Sequence, residues 1–103
     1  MHTDVQHDDW LYQQLQDAGF AAEYLNAASE DDDPKTYVSA LRKVAEARGG
    51  MSAIAQNAGL SRERLDQMLS TRGNPTLKTL AAVLKATGLK MVISPYSHPG
   101  GTQ

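Results

Sequence analysis

Residues 51–70, MSAIAQNAGLSRERLDQMLS, constrain the fold more than any other stretch of the chain. Small or apolar residues recur at Ile54, Ala55, Ala58 and Leu60, then at Leu65, Met68 and Leu69. That spacing predicts two short helices, each with one apolar stripe. Between them, in Ala58-Gly59-Leu60, Gly59 stands where the chain must turn with positive φ. Ser61 follows as an N-cap, because its hydroxyl accepts from free amides of the next first turn. Two helices joined by so short a turn are held at a fixed angle, as a helix-turn-helix. Arg62, Glu63, Arg64, Asp66 and Gln67 remain on the outer face of the second helix. Such a face suits insertion into a DNA major groove, and an ordinary helical hairpin in an all-α domain is the bland alternative.

The flanking sequence reads as more helix. Residues 1–8 are short and polar and are expected to be disordered. Asp8 or Asp9 then caps a short helix through Trp10, Leu11 and Leu15. A second helix spans about 17–29, with Phe20, Ala21, Tyr24, Leu25 and Ala28 on one face. Glu30-Asp31-Asp32-Asp33 breaks it, and Asp33-Pro34 starts a third as N-cap and first helical residue. Tyr37, Val38, Leu41, Val44 and Ala45 form its stripe, Gly49-Gly50 stops it, and Arg48 lies near the negative end of its dipole. After the central motif, Thr71-Arg72-Gly73-Asn74-Pro75 is a turn-rich loop. Thr76 caps a last helix with Leu77, Leu80, Ala81, Val83 and Leu84 facing inward, and Gly88 closes it. LKMVIS (89–94) changes period and reads as a strand. A lone strand is not stable, so Met91, Val92, Ile93 and Ser94 are expected to pair with a second copy across a two-fold. The alternative is an extended segment lying on the helices. The expected architecture is all-α, with five or six helices, an N-terminal helical extension and that short C-terminal strand. Three regions are expected: an acidic helical arm over 1–33, the helix-turn-helix body over 34–94, and a loose tail over 95–103.

Net charge is −2, yet the charges are partitioned. Residues 1–33 hold nine acids and no Lys or Arg, whereas residues 34–103 hold all ten basic residues against three acids. A basic body attracts phosphates that an acidic arm repels, so two surfaces with different partners are expected. The bland reading of the arm is a solvated tail that aids solubility. The sequence contains no Cys, which fits a reducing cytoplasm. The acidic start has no apolar core of a signal peptide, and no run is long enough to span a membrane.

Nothing points to an enzyme. His2, His7 and His98 are tail residues, and no HExxH, Cys–His spacing or phosphate-cradling glycine loop is present. The Asp31–Asp33 run lacks a calcium-loop pattern. No cofactor and no metal are expected.

Several segments carry a family resemblance: YLNAA (24–28), DPKTYVSALRKVAEARGGM (33–51), AGLSRERL (58–65), Leu69-Ser70, GNPTLKTL (73–80) and LKATGL (84–89). The body resembles the helix-turn-helix domains of Cro and the phage repressors. More specifically, the chain resembles bacterial addiction-module antidote proteins, which are similar to HigA-type antitoxins. The resemblance implies an antitoxin encoded beside a small basic toxin similar to RelE and HigB. It also implies repression of the shared operon. The alternatives are a repressor-like regulator with no toxin, or a toxin-binding module that does not bind DNA. Two places depart from the repressor pattern. Met51 stands where a phosphate-contacting Gln is common, and Leu69-Ser70-Thr71 replaces a Glu-x-Gly run.

For the DNA surface, Arg62, Glu63 and Gln67 are expected at base edges, where Arg pairs with guanine, Gln with adenine, and Glu accepts from cytosine. Arg64 flanks them toward a phosphate, or serves as a helical ion-pair member. Asp66 reads as a local salt-bridge residue. Ser52, Gln56, Ser61, Arg72, Asn74 and Lys78 are the candidates for phosphate positioning, though Ser61 and Asn74 equally suit cap and turn roles. For the toxin surface the candidates are Asp8, Asp9, Trp10, Tyr12, Asp17, Phe20, Glu23 and Tyr24, because large aromatics anchor interfaces. Phe20 and Tyr24 also read as core residues. The expected partners are palindromic operator DNA, the toxin and a second copy.

Overall fold

The computed structural model describes residues 3–95, with side chains from Asp9 onward. Six helices follow in order: α1 (Thr3–Leu15), α2 (Ala18–Ser29), α3 (Pro34–Ala47), α4 (Met51–Ala58), α5 (Arg62–Met68) and α6 (Leu77–Ala86). Among the described residues there is no strand. Asp8, His2, His7 and His98 lie outside the described side chains.

Side-chain oxygens set four of the helix starts. Asp17 accepts from the Phe20 amide at 2.8 Å, Asp33 from Lys35 at 3.0 Å, Ser61 from Arg64 at 3.0 Å, and Thr76 from Thr79 at 3.2 Å. Each satisfies a donor that the first turn leaves without an intrahelical acceptor. Pro34 occupies the first turn of α3, where its missing N–H costs nothing. The turn after α4 has the expected left-handed glycine: Gly59 has φ 78°, its amide donates to the Gln56 carbonyl, and Leu60 donates to the Ala55 carbonyl at 2.8 Å. These bonds close the last turn of α4 and redirect the chain into α5.

One core joins all six helices. Leu15, Leu41, Val44, Ile54, Leu65 and Val83 are its largest fully buried side chains, one or two from each of five helices. Ala21 and Leu25 of α2 belong to the same cluster. At roughly 2 kcal/mol for each buried leucine, Leu15 and Leu25 tie the acidic N-terminal helices firmly to the body.

Three expectations differ from the structure. Helix α1 begins at Thr3, so residues 3–8 of the stretch expected to be disordered, and the cap expected at Asp8 or Asp9, lie inside it. Leu11 and Leu15 dock against the core, and a nucleated helix extends N-terminally with one hydrogen bond gained per residue ordered. Leu77 is 71% exposed, although it lies on the stripe of Leu80 and Leu84. It is the first residue of α6, where the stripe runs past the edge of the core. Ala81 is exposed as well. Residues 89–94 have no regular secondary structure in the single chain, which offers them no second strand.

The α2–α3 corner carries a pH-sensitive cap. The Asp31 carboxylate accepts from the Asp33 amide at 2.8 Å and the Thr36 hydroxyl at 3.0 Å. The backbone bond first, and the hydroxyl second, hold its pKa below the ordinary carboxylate value. A depressed folded pKa stabilises above the unfolded value and loses that contribution as pH falls through the folded one. Asp31→Ala should therefore melt below wild type near neutrality, and the two melting curves should converge in acid. A gap that persists through the acid range would show that the carboxylate charge is not its source.

Candidate functional site

The outer face of α5 is built from its first two turns. The stripe of Leu65 and Met68 faces the core, which leaves Arg62, Glu63, Arg64 and Gln67 exposed. Ser61 holds the start of this helix, so its hydroxyl already serves the Arg64 amide. Glu63 lies in the first turn, where a carboxylate is favoured by the helix dipole. Arg62 Nη1 donates to Ser52 Oγ at 3.2 Å, which draws the starts of α4 and α5 together.

A shallow cleft opens beside this face. Arg64, Gln67, Arg72 and Asn74 line it, together with Thr76 and Thr79 at the start of α6. The loop 69–76 brings two of those side chains back toward α5, and its tight path depends on Gly73. With Ser70, two guanidinium groups, two amides and three hydroxyls thus border one concave surface with no carboxylate in its lining. Such a set donates hydrogen bonds to anionic or carbonyl oxygens. Ser52, Gln56 and Lys78 are exposed too, but lie outside this cleft. Ser70 and Thr79 were missed by the sequence reading; a hydroxyl that looks like a turn former gives no sign that the fold will place it in a cleft.

The second acid of α5 is turned away from this surface. Asp66 pairs with the Arg42 guanidinium of α3, and Arg42 Nε also meets Glu46 at 3.3 Å. The hydrogen bond to Asp66 is the main cause that raises the Arg42 pKa. Tyr12 Oη donates to Glu46, so this polar chain runs from α1 through α3 to α5. Arg42 went unnoticed in the sequence, because its partner is twenty-four residues away.

The residues expected to face a protein partner separate into two groups. Trp10, 52% exposed, meets Phe20 edge-on, with ring centroids 6.1 Å apart and planes at 88°. Asp9 and Glu23 are exposed. Tyr12, Asp17 and Tyr24 have structural work: Tyr12 bonds Glu46, Asp17 caps α2, and Tyr24 packs against the core, where burial raises its pKa. Phe20 is half-buried on that core as well. Among the described residues, no group of three or more His, Cys, Asp or Glu is placed to hold a metal ion. No helix among them is long and apolar enough to cross a membrane.

Fold and site together define a small all-helical protein that presents a short, polar helix face beside a donor-lined cleft. The chain belongs to the family described as "probable addiction module antidote protein", whose model matches residues 6–95. It is also similar to an uncharacterised protein of Haemophilus influenzae (strain ATCC 51907 / DSM 11121 / KW20 / Rd), 44% identical over 70 residues, which cover 68% of this chain and 71% of that one. No solved structure matches the chain at a significant level.

Proposed function

We propose that the chain is the antitoxin of a type II toxin–antitoxin module. In this reading α4, the Gly59 turn and α5 form a DNA-reading helix-turn-helix that represses the module's own operon. The protein acts in the cytoplasm by binding and has no catalytic role. Its protein partner is a small basic toxin similar to RelE and HigB, drawn to the acidic N-terminal half, with Trp10 and Phe20 as apolar anchors. A homodimer places its two α5 helices about 34 Å apart, facing a palindrome.

The observation that carries the DNA reading is the convergence of Arg64, Gln67, Arg72 and Asn74 on one carboxylate-free cleft beside an exposed α5 face. Arg62 and Gln67 are assigned to base edges, and Arg64, Arg72 and Lys78 to phosphates. The amides at the start of α6 add to phosphate binding, since a helix N-terminus favours an anion. With Asp66 paired to Arg42, Glu63 is left as the carboxylate of α5 facing outward. It accepts from a cytosine amino group and disfavours other bases.

A gel shift with DNA from upstream of the gene tests this. Wild type should bind with an affinity that falls roughly 10³-fold between 50 and 200 mM salt, if about six phosphates are neutralised. Arg62→Ala with Gln67→Ala should weaken binding by about 10- to 100-fold and relax sequence preference. Both positions are exposed, so the fold should be unaffected. Absence of a salt-sensitive shift on every upstream fragment, with and without the neighbouring gene's product, would leave only a toxin-binding role.

A further inference from the structure

The C-terminal segment carries apolar side chains that its own chain leaves uncovered. Met91 is 40% exposed, Val92 70% and Ile93 92%. The last backbone bond before them is from Leu89 to the Leu84 carbonyl at 3.0 Å. From Lys90 to Pro95 the backbone is neither helix nor strand and makes no backbone hydrogen bond among the described residues. A run whose amides and carbonyls no other backbone group takes up is open to pairing with another strand, and the described residues are otherwise helices and turns. A second copy of this chain brings an identical run.

From these observations we infer that residues 90–94 form the two-fold interface of a homodimer, pairing antiparallel with Val92 at the axis and with Lys90 of each copy meeting Glu30 of the other. This rests on the two-fold assembly proposed above and assigns its surface. The register follows from the ends of the segment. Leu89 is tied back to α6, and Pro95 has no N–H to extend a ladder, so five residues are available and Val92 is their centre. Antiparallel pairing about Val92 sets Met91 across from the partner's Ile93, twice, which buries Ile93, the most exposed of the large apolar side chains, against Met91. The same pairing sets Lys90 across from the partner's Ser94. Ser94 lines one hollow with Asn26, Ser29, Glu30, Val92 and Ile93, so Glu30 lies beside the place where the partner's Lys90 arrives. The two-fold forms this ion pair twice. A heterologous partner has no reason to carry a cation and an acid in that mirrored arrangement.

Sedimentation equilibrium on the full chain tests the inference. Wild type should have twice the 11.2 kDa chain mass at tens of micromolar. Val92→Asp should sediment as a monomer with wild-type helical circular dichroism. Glu30→Lys should weaken the dimer about tenfold, and adding Lys90→Glu should restore it. Because the chain has no Cys, a single introduced thiol gives a second readout. Val92→Cys should couple to itself on mild oxidation, because it faces its own copy across the axis, whereas Lys90→Cys should not. A monomeric wild type would overturn both the assembly and the surface. A dimer that Val92→Asp leaves intact, or equal coupling by the two thiols, would overturn the surface alone and leave a two-fold assembly standing elsewhere. None of these results depends on DNA, so a failed gel shift and a failed dimer are distinct outcomes.

Discussion

Replacing Arg48 with Met should lower the stability of the protein by about 2–3 kcal/mol, a drop in melting temperature of roughly 10–20 °C for a chain of this size. Arg48 caps α3, and its guanidinium reaches the ends of two other helices. Nε donates to the Thr87 carbonyl at 2.6 Å, at the end of α6. Nη1 donates to Gln16 at 2.6 Å and, more weakly, to Leu15 at 3.4 Å, at the end of α1. Two helix C-termini, each with unsatisfied carbonyls and a partial negative charge, therefore converge on one cation carried at the end of a third. The Gln16 bond is exposed, and water can replace it, so most of the loss should come from the Thr87 side. Met keeps the packing of the aliphatic stem, which isolates the hydrogen bonds. Arg48→Lys should recover less than half of the loss, since an ammonium is a point donor and cannot span both carbonyls as a planar fork does. Thermal and urea unfolding of the three proteins would check this. A Met variant that melts within about 3 °C of wild type would show that the clamp is replaceable by solvent.

Gly73→Ala is the second large effect. A Cβ at this position would stand 1.9 Å from the Met68 carbonyl oxygen and 2.5 Å from its carbon. Both are backbone atoms at the end of α5, so no flexible side chain can move aside. The Gly73 amide also donates to the Ser70 carbonyl at 2.9 Å, which holds the loop in its tight course. Relief requires the loop to shift by more than an ångström or α5 to unwind at its end, at a cost of about 2–4 kcal/mol. The same shift displaces Arg72 and Asn74 from the cleft. The variant should thus lose stability and, with it, the salt-sensitive DNA binding proposed for this surface, the latter more than Arg72→Ala alone. Unchanged melting and unchanged binding together would mean that the loop has room the structure does not show.

The helix starts and turns were legible in the sequence because their causes are local. Asp17, Asp33, Ser61 and Thr76 each act on an amide two or three residues away, and any chain with these residues at these offsets forms the same bonds. The stripes of α3 and α4 were legible for a similar reason, since a period of 3.6 residues selects one face whatever lies opposite. The candidate DNA-facing residues were found as the remainder of that stripe on α5. What the local signals could not reveal was which exposed residues share a surface. Ser70 and Thr79 join Arg64 and Gln67 only because loop 69–76 folds back. Leu77 has the right period for burial and is exposed because the core ends before it.

The charge partition along the chain is legible in the sequence, but its meaning in space is not. An acidic first third reads as an arm, yet Leu15, Ala21 and Leu25 bury it in the common core. Asp66 reads as a local salt-bridge residue, yet its partner Arg42 stands twenty-four residues away on α3. Composition, period and capping act over a few residues and are determined by the sequence alone. Arg48 gathering the ends of α1 and α6, Gly73 passing beneath α5, and a segment 90–94 that leaves Val92 and Ile93 exposed are decided by tertiary structure. Each depends on residues far apart in the chain meeting at a distance of a few ångströms, and on what finds no partner once the helices have packed.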